Sequence, residues 1–286
     1  MRCRERRGGA VPVGDREGGK RRRDGDTLVA PHATVGLSAL YHPAPHGGDD
    51  RRRGGRDERE EPNIATSSAS GSALEPVWAI VLAAGSGARF GGPKQFVEAA
   101  GVRLVDLAVE CAVAACDHVV LVLPPGEAWS GPAVDHVVGG GADRGASVKA
   151  GLAAIPDDRG TVVVHQAANP LAGADTFQTL LAAIADGAPA AFPGLRPADI
   201  VRVADDGVAG EVVGRDELVL VQTPAAFRLE VLRAAHETGL PAWEDTALVS
   251  AAGYEVRVVP GDPRNVHVAT PEDLELVAAL LRTTRG

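Results

Sequence analysis

The residues best suited to chemistry lie together in Leu82-Ala83-Ala84-Gly85-Ser86-Gly87-Ala88-Arg89-Phe90-Gly91-Gly92-Pro93-Lys94-Gln95. From Ala83 to Ala88 every side chain is small, so backbone N–H groups can approach an anion closely. Glycine also permits the positive φ angles that an anion-cradling turn needs. Arg89 and Lys94 then bring charge to a polyphosphate, the guanidinium as a rigid fork and the ammonium as a point charge. The spacing is neither the P-loop pattern nor the complete dinucleotide fingerprint. A mobile glycine-rich connector is the bland alternative, but a connector needs neither the arginine nor the Pro-Lys-Gln ending. The chemistry this stretch implies is the holding of a nucleoside triphosphate.

A loop of this kind must be held by rigid elements. Val77–Ala83, directly before it, reads as a buried strand, as do Val119–Leu123 and Thr161–His165. Between them lie helical candidates around Leu104–Ala115, Ala146–Ala154 and Asp175–Ala185. The alternation predicts an α/β fold with a mainly parallel sheet covered on both faces, in which ligands sit at the carboxyl ends of the strands. Ile200–Val213 differs, because apolar alternation flanks the turn Asp205-Asp206-Gly207 and predicts a β-hairpin. That hairpin is either a surface excursion or an arm exchanged with a second subunit. The chain resumes with a strand at Leu218–Gln222, a helix near Phe227–Glu237, a strand at Glu255–Val259 and a closing helix from Pro271. Thr270 is a candidate N-cap of that helix, and Glu272 and Asp273 face its positive end.

Composition bounds the class. The chain is 45% apolar but only 3% aromatic, so its core must be built from Ala, Val and Leu. No apolar run approaches the roughly 18 residues of a membrane span. Residues 1–75 carry 14 Lys or Arg against 12 Asp or Glu, leaving 15 against 26 downstream. An acidic domain argues against a broad nucleic-acid surface and must gather its few cations locally. Past the tail only Lys94 and Lys149 are lysines, and one of them is in the loop.

Residues 1–75 read as a disordered tail, with basic runs, mixed charge and many Gly and Pro. A basic arm touching an anionic surface is weakened by the interleaved acids. A third reading is a mis-assigned start, with translation beginning at a valine codon such as that of Val77, since Met1 is the only methionine. Cys3, Cys111 and Cys116 form no metal or redox spacing, and Cys111 and Cys116 are read as buried small apolar residues. No disulfide framework and no signal-peptide core are visible, which predicts a cytoplasmic protein. His118, His136 and His236 lack ligand spacing and are read as surface residues. His165, ending a strand, is read as structural.

From about Val77 to Arg285 the chain resembles the 2-C-methyl-D-erythritol 4-phosphate cytidylyltransferase family. The glycine-rich loop is similar to the signature of sugar-phosphate nucleotidyltransferases, and Pro93-Lys94-Gln95 narrows it to this family. Gly139-Gly140-Gly141-Ala142-Asp143-Arg144-Gly145-Ala146-Ser147-Val148 resembles the family segment that contacts cytosine. Arg215, Thr223-Pro224 and Thr270-Pro271-Glu272-Asp273-Leu274 follow in matching order. The resemblance implies a Rossmann-like nucleotidyltransferase domain over residues 76–286, with an arm at about 196–216 and a homodimer joined by exchanged arms. It implies in-line attack by a sugar or polyol phosphate on the α-phosphorus of CTP, releasing pyrophosphate, with Mg²⁺ bridging the phosphates. Arg89 and Lys94 would be the catalytic cations. Ala83, Ala84, Gly85, Ser86, Gly87, Gly140, Arg144 and Ser147 would bind the nucleotide, and Arg215, Thr223 and His267 the acceptor. The metal ligands are not identified by sequence.

Three segments depart from the pattern. Where the family has His-Asp-Ala-Ala-Arg-Pro, this chain reads His165-Gln166-Ala167-Ala168-Asn169-Pro170. The family's Asn-x-Lys becomes Asn265-Val266-His267, and Ile200 takes the place of an arm threonine. Glu244 and Asp245 lie in a family acidic stretch whose first acidic position is taken by Trp243, and Glu244 is a weak candidate. Loss of one preorganised contact costs about 10²–10³ in rate. Three readings follow: a working cytidylyltransferase, a catalytically impaired nucleotide-binding relative acting through partners, or a transferase using another nucleotide.

Overall fold

The structure, a computed structural model, describes residues 75–240 and 243–284. The tail expected over residues 1–75 lies outside the described residues except for Glu75. In chain order the elements begin with β1 (Val77–Leu82), the small hairpin β2 (Glu98–Ala99) and β3 (Val102–Arg103), α1 (Leu104–Ala115), β4 (His118–Leu123) and β5 (His136–Gly139). Then come α2 (Arg144–Ala153), β6 (Thr161–Gln166), α3 (Ala174–Ala185), β7 (Ala190–Leu195) and the hairpin β8 (Val201–Asp205) and β9 (Val208–Val213). The chain closes with β10 (Leu220–Val221), β11 (Ala225–Arg228), α4 (Leu229–Glu237), α5 (Asp245–Ala251), β12 (Val256–Pro260) and α6 (Pro271–Thr284).

Eight strands make the central sheet. β6, β1, β4 and β5 run parallel side by side, and β12 joins β7 in parallel. β11 fills the space between β6 and β7, antiparallel to both, and β10 continues along the same edge of β7. Alternation along β1 decides what each face buries. Trp78 and Ile80 pack with Val148 and Leu152 of α2, Leu229 and Leu232 of α4, and Leu248 of α5. Ala79 and Val81 face Val105, Ala108 and Val109 of α1, while α3 brings Phe177, Leu180 and Ile184 against Val163 and Ala191 on that same side of the sheet. Each fully buried Leu, Val or Phe contributes roughly 1.5–3 kcal/mol, so both layers stabilise the sheet.

Two expectations are corrected by the sheet. The run Leu218–Gln222 contributes only the two residues of β10, because the chain must turn at Thr223-Pro224 to reach the β11 register. Phe227, expected at a helix start, lies fully buried in β11, paired with Val162 and Ala190. The helix begins only at Leu229. The hairpin forms where expected, with Asp206 at φ 44 and Gly207 at φ 76, the two positive angles of a hairpin turn whose twist matches its strands. Among the described residues it pairs only with itself.

Cys111 and Cys116 are half-buried rather than fully enclosed, packed against the α3 side of the sheet. Burial raises both thiols above their ordinary pKa, Cys116 to about 12.

Candidate active site

The glycine-rich loop leaves the carboxyl end of β1 and closes on one carbonyl. Gly87 O accepts from Phe90 N at 2.9 Å, Gly91 N at 3.0 Å and Gly92 N at 3.2 Å. Gly87 has φ +65, and a Cβ there would fall 1.7 Å from Gly92 O, so only glycine allows this return. The next turn, Lys94–Phe96, points Lys94 across the cavity, where its Nζ donates to Val268 O. Burial, and then the neighbouring Arg89 charge, lower the Lys94 pKa, partly offset by Asp273. The ammonium is thus half-desolvated beside a second cation, a pairing that an anion would relieve.

These residues line a cavity of about 560 Å³ at the carboxyl ends of β1 and β6. Its walls include residues 82–90, Lys94, the 141–144 turn, Ser147, Gln166 and His267. The 140–147 segment packs against the loop so closely that a Cβ on Gly140 would meet the Ala84 methyl at 2.4 Å. Asp143 caps α2 by accepting from Ala146 N at 2.7 Å. Ser147 Oγ donates to Asp143 O at 2.9 Å and accepts from Gly141 N at 3.1 Å, so this buried hydroxyl shapes the turn that it lines.

Arg144 is held from behind. Its Nη2 lies 2.7 Å from Asp245 Oδ2, and the other Asp245 oxygen lies 3.1 Å from His236 Nε2. Desolvation pushes the Asp245 pKa up, but the His236 bond and the Arg144 charge outweigh it and hold it below the ordinary carboxylate value. His236, read from sequence as a surface residue, is therefore corrected: it is 6% exposed. Its spacing from Leu229 and Leu232 puts it on the buried face of α4, a signal present in the sequence. Asp245 was missed, whereas the weak candidate Glu244 serves as the α5 cap, accepting from Thr246 N and Ala247 N.

The acceptor-side residues are only partly gathered. His267 lines the cavity. Its ring is kept largely neutral, with a pKa of about 4, by desolvation first and then by Lys94 and Arg89. Thr223 and Arg215 do not line it. Thr223 lies beneath, its carbonyl accepting from Asn265 Nδ2 at 2.8 Å. Arg215 is exposed at the base of the hairpin, donating to Ala198 O at 3.0 Å. Ile200 is exposed beside the hairpin. His165 is fully buried, with neither ring nitrogen bonded and burial pushing its pKa down to about 3, which agrees with a structural role. His118 bonds Asp135 at 3.1 Å and stacks on Trp78, while His136 is exposed. Thr270 and Asp273 cap α6, the carboxylate accepting from Ala269 N and Thr270 N at 2.8 Å.

Among the described residues, no group of three or more His, Cys, Asp or Glu is placed to hold a metal, and no helix is long and apolar enough to cross a membrane.

A mainly parallel sheet with an anion-shaped loop after its first strand defines an α/β protein of the nucleotidyltransferase type. Residues 77–283 match the family model described as 2-C-methyl-D-erythritol 4-phosphate cytidylyltransferase, IspD, and the chain belongs to that family. It is 39% identical over 218 residues to the Nocardia farcinica protein of that name, covering 72% of this chain and 94% of that one. The Deinococcus radiodurans protein is 40% identical over 207 residues, covering 71% and 88%. Against the bifunctional IspD/IspF enzyme of Nitratidesulfovibrio vulgaris, at 38% identity, the match covers 71% of this chain but 57% of that longer one. The crystal structure of the Thermus thermophilus cytidylyltransferase superposes with a TM-score of 0.62 at 32% identity, covering 73% of this chain and all of that one.

Proposed function

We propose that this protein transfers a cytidylyl group from CTP to a sugar or polyol phosphate such as 2-C-methyl-D-erythritol 4-phosphate, releasing pyrophosphate. One observation carries the reading: Arg89 and the half-desolvated Lys94 share one cavity with a loop of small residues. The acceptor's own phosphate oxygen attacks the α-phosphorus, so no activated serine or cysteine is needed. Positioning and charge stabilisation supply the catalysis. Arg89 and Lys94 neutralise charge on the α-phosphate and the departing pyrophosphate, the loop N–H groups hold the phosphates, and Arg144 with the 140–147 turn receives the base.

Among the described residues, the only carboxylate lining the cavity, Asp143, is engaged as a helix cap. The residues present therefore fit a Mg²⁺ carried on the nucleotide's own phosphates, not one bound by protein carboxylates. Such an ion supplies charge neutralisation across the phosphates.

The hairpin supports a homodimer with exchanged arms. Ile200 and Val208 stand 72% and 70% exposed, more than an isolated surface hairpin needs to show water. The unbridged thiols of Cys111 and Cys116 support a reducing cytoplasm.

A second reading, a catalytically weakened member that binds nucleotide, is favoured by the neutral trio Gln166, Asn169 and His267. One experiment separates the two: pyrophosphate release with CTP, Mg²⁺ and a panel of polyol phosphates, beside CTP calorimetry. Turnover supports the first reading, binding without turnover supports the second, and absence of CTP binding removes both.

A further inference from the structure

Behind His267 runs a relay of amides whose direction is fixed at one end. The carbonyl oxygen of Thr223 can only accept, so the Asn265 group 2.8 Å from it is the Nδ2 donor. Asn265 Oδ1 is left to accept from Asn169 Nδ2 at 3.2 Å. Asn169 then presents Oδ1 to His267 Nδ1 at 2.8 Å, and a carboxamide oxygen only accepts. His267 Nδ1 must therefore carry a proton. Asn169 and Asn265 are 2% and 3% exposed, so neither amide can turn over without stranding a buried group.

In a neutral ring with Nδ1 protonated, Nε2 is a bare lone pair. It has no bonding partner among the described residues, and His267 stands on the cavity wall. The charged groups around it are Lys94 and Arg89, which oppose protonation, and Asp273, which favours it less strongly. A lone pair repels a phosphate oxygen and attracts an O–H. With the two cations drawing phosphates toward the loop, this wall is left to a hydroxyl.

We infer that His267 Nε2 is a specificity-determining acceptor for a hydroxyl of the bound substrate, oriented by the Asn169–Asn265–Thr223 relay. The hydroxyl belongs either to the ribose of the nucleotide or to the polyol chain of the acceptor. The inference rests on the cavity being the CTP and polyol phosphate site.

The test uses the full chain. Nitrogen-15 NMR of the free protein at neutral pH should find Nδ1 of His267 protonated and Nε2 bare. Calorimetry then compares CTP with its 2′- and 3′-deoxy analogues, and 2-C-methyl-D-erythritol 4-phosphate with its single-deoxy analogues, each against wild type and His267→Ala. Removing the recognised hydroxyl should weaken wild-type binding about three- to tenfold, the size of one hydrogen bond. His267→Ala should lose the same factor with the parent ligand and nothing more with the deoxy ligand, and the arm in which this occurs names the source. Asn169→Leu should erase the same discrimination with His267 still present. Independent, additive losses in both arms, or uptake of a proton by the ring when CTP binds, would overturn the inference while leaving the site reading intact. Failure of CTP to bind at all would overturn both.

Discussion

The Asp245 carboxylate lies 2.7 Å from the Arg144 guanidinium, so a residue on the cavity rim is fixed by an acid from a distant helix. Asp245 is 2% exposed but Arg144 is 31% exposed, so removing the carboxylate leaves its partners unpaired at a cost of about 1–3 kcal/mol. Asp245→Ala should lower unfolding stability by that amount and weaken CTP binding, read by denaturant titration and calorimetry. The carboxyl pKa is depressed in the folded state. Its contribution is therefore complete above the unfolded value near pH 3.9 and is lost as pH falls through the lower folded value. The variant should lack that acid-side step.

Gly87→Ala tests the loop without touching a charge. The added methyl would collide with Gly92 O in a backbone region that favours glycine. The return of the chain onto Gly87 O must open, and CTP affinity should fall at least tenfold. Unchanged affinity would mean that the loop's closed form is not the one that binds.

His165 gives a pH prediction of opposite origin. Its folded pKa of about 3 lies below the ordinary value near 6.5. Between these values the unfolded chain binds the extra proton, so stability declines as pH is lowered from about 6.5 to about 3. His267, at about 4, acts with the same sign. His165→Leu removes two unpaired buried nitrogens. It should keep or raise stability at pH 7 and flatten the decline on acidification, measured as denaturation midpoints at pH 7 and pH 5.

Gln166 lines the cavity at the position where the family pattern that this chain resembles, His-Asp-Ala-Ala-Arg-Pro, has its aspartate. Gln166→Asp should raise turnover with 2-C-methyl-D-erythritol 4-phosphate by about 10²-fold if one charged contact is what the chain lacks. An unchanged or lower rate would show that the neutral side chain suits this protein's own acceptor.

Much of this was legible because it is local. The apolar run before the loop, the Ala-rich pattern of α1 and the Asp206-Gly207 turn each need only a short window of sequence. β7 was not legible, since Pro193 and Gly194 interrupt it and read as a loop until β11 and β12 pair with its two edges. The end of β11, Phe227 and Arg228, looked like the start of α4 because the apolar helical pattern of Leu229–Glu237 runs straight on from it when tertiary pairing is ignored. The Arg144–Asp245–His236 cluster joins residues from three helices, and no spacing announces it. The amide relay is hidden for the same reason: Asn169 reads as a replacement in one motif and Asn265 as a matching residue of another, and only the fold makes them neighbours.

The most direct test of the central claim is the rate of pyrophosphate release from CTP, with Mg²⁺ and 2-C-methyl-D-erythritol 4-phosphate, for wild type and Lys94→Ala. The wild-type protein should release pyrophosphate, and loss of the ammonium should cut the rate by about 10²–10³ in a protein that remains folded. Equal rates in the two proteins would contradict the assignment of this cavity.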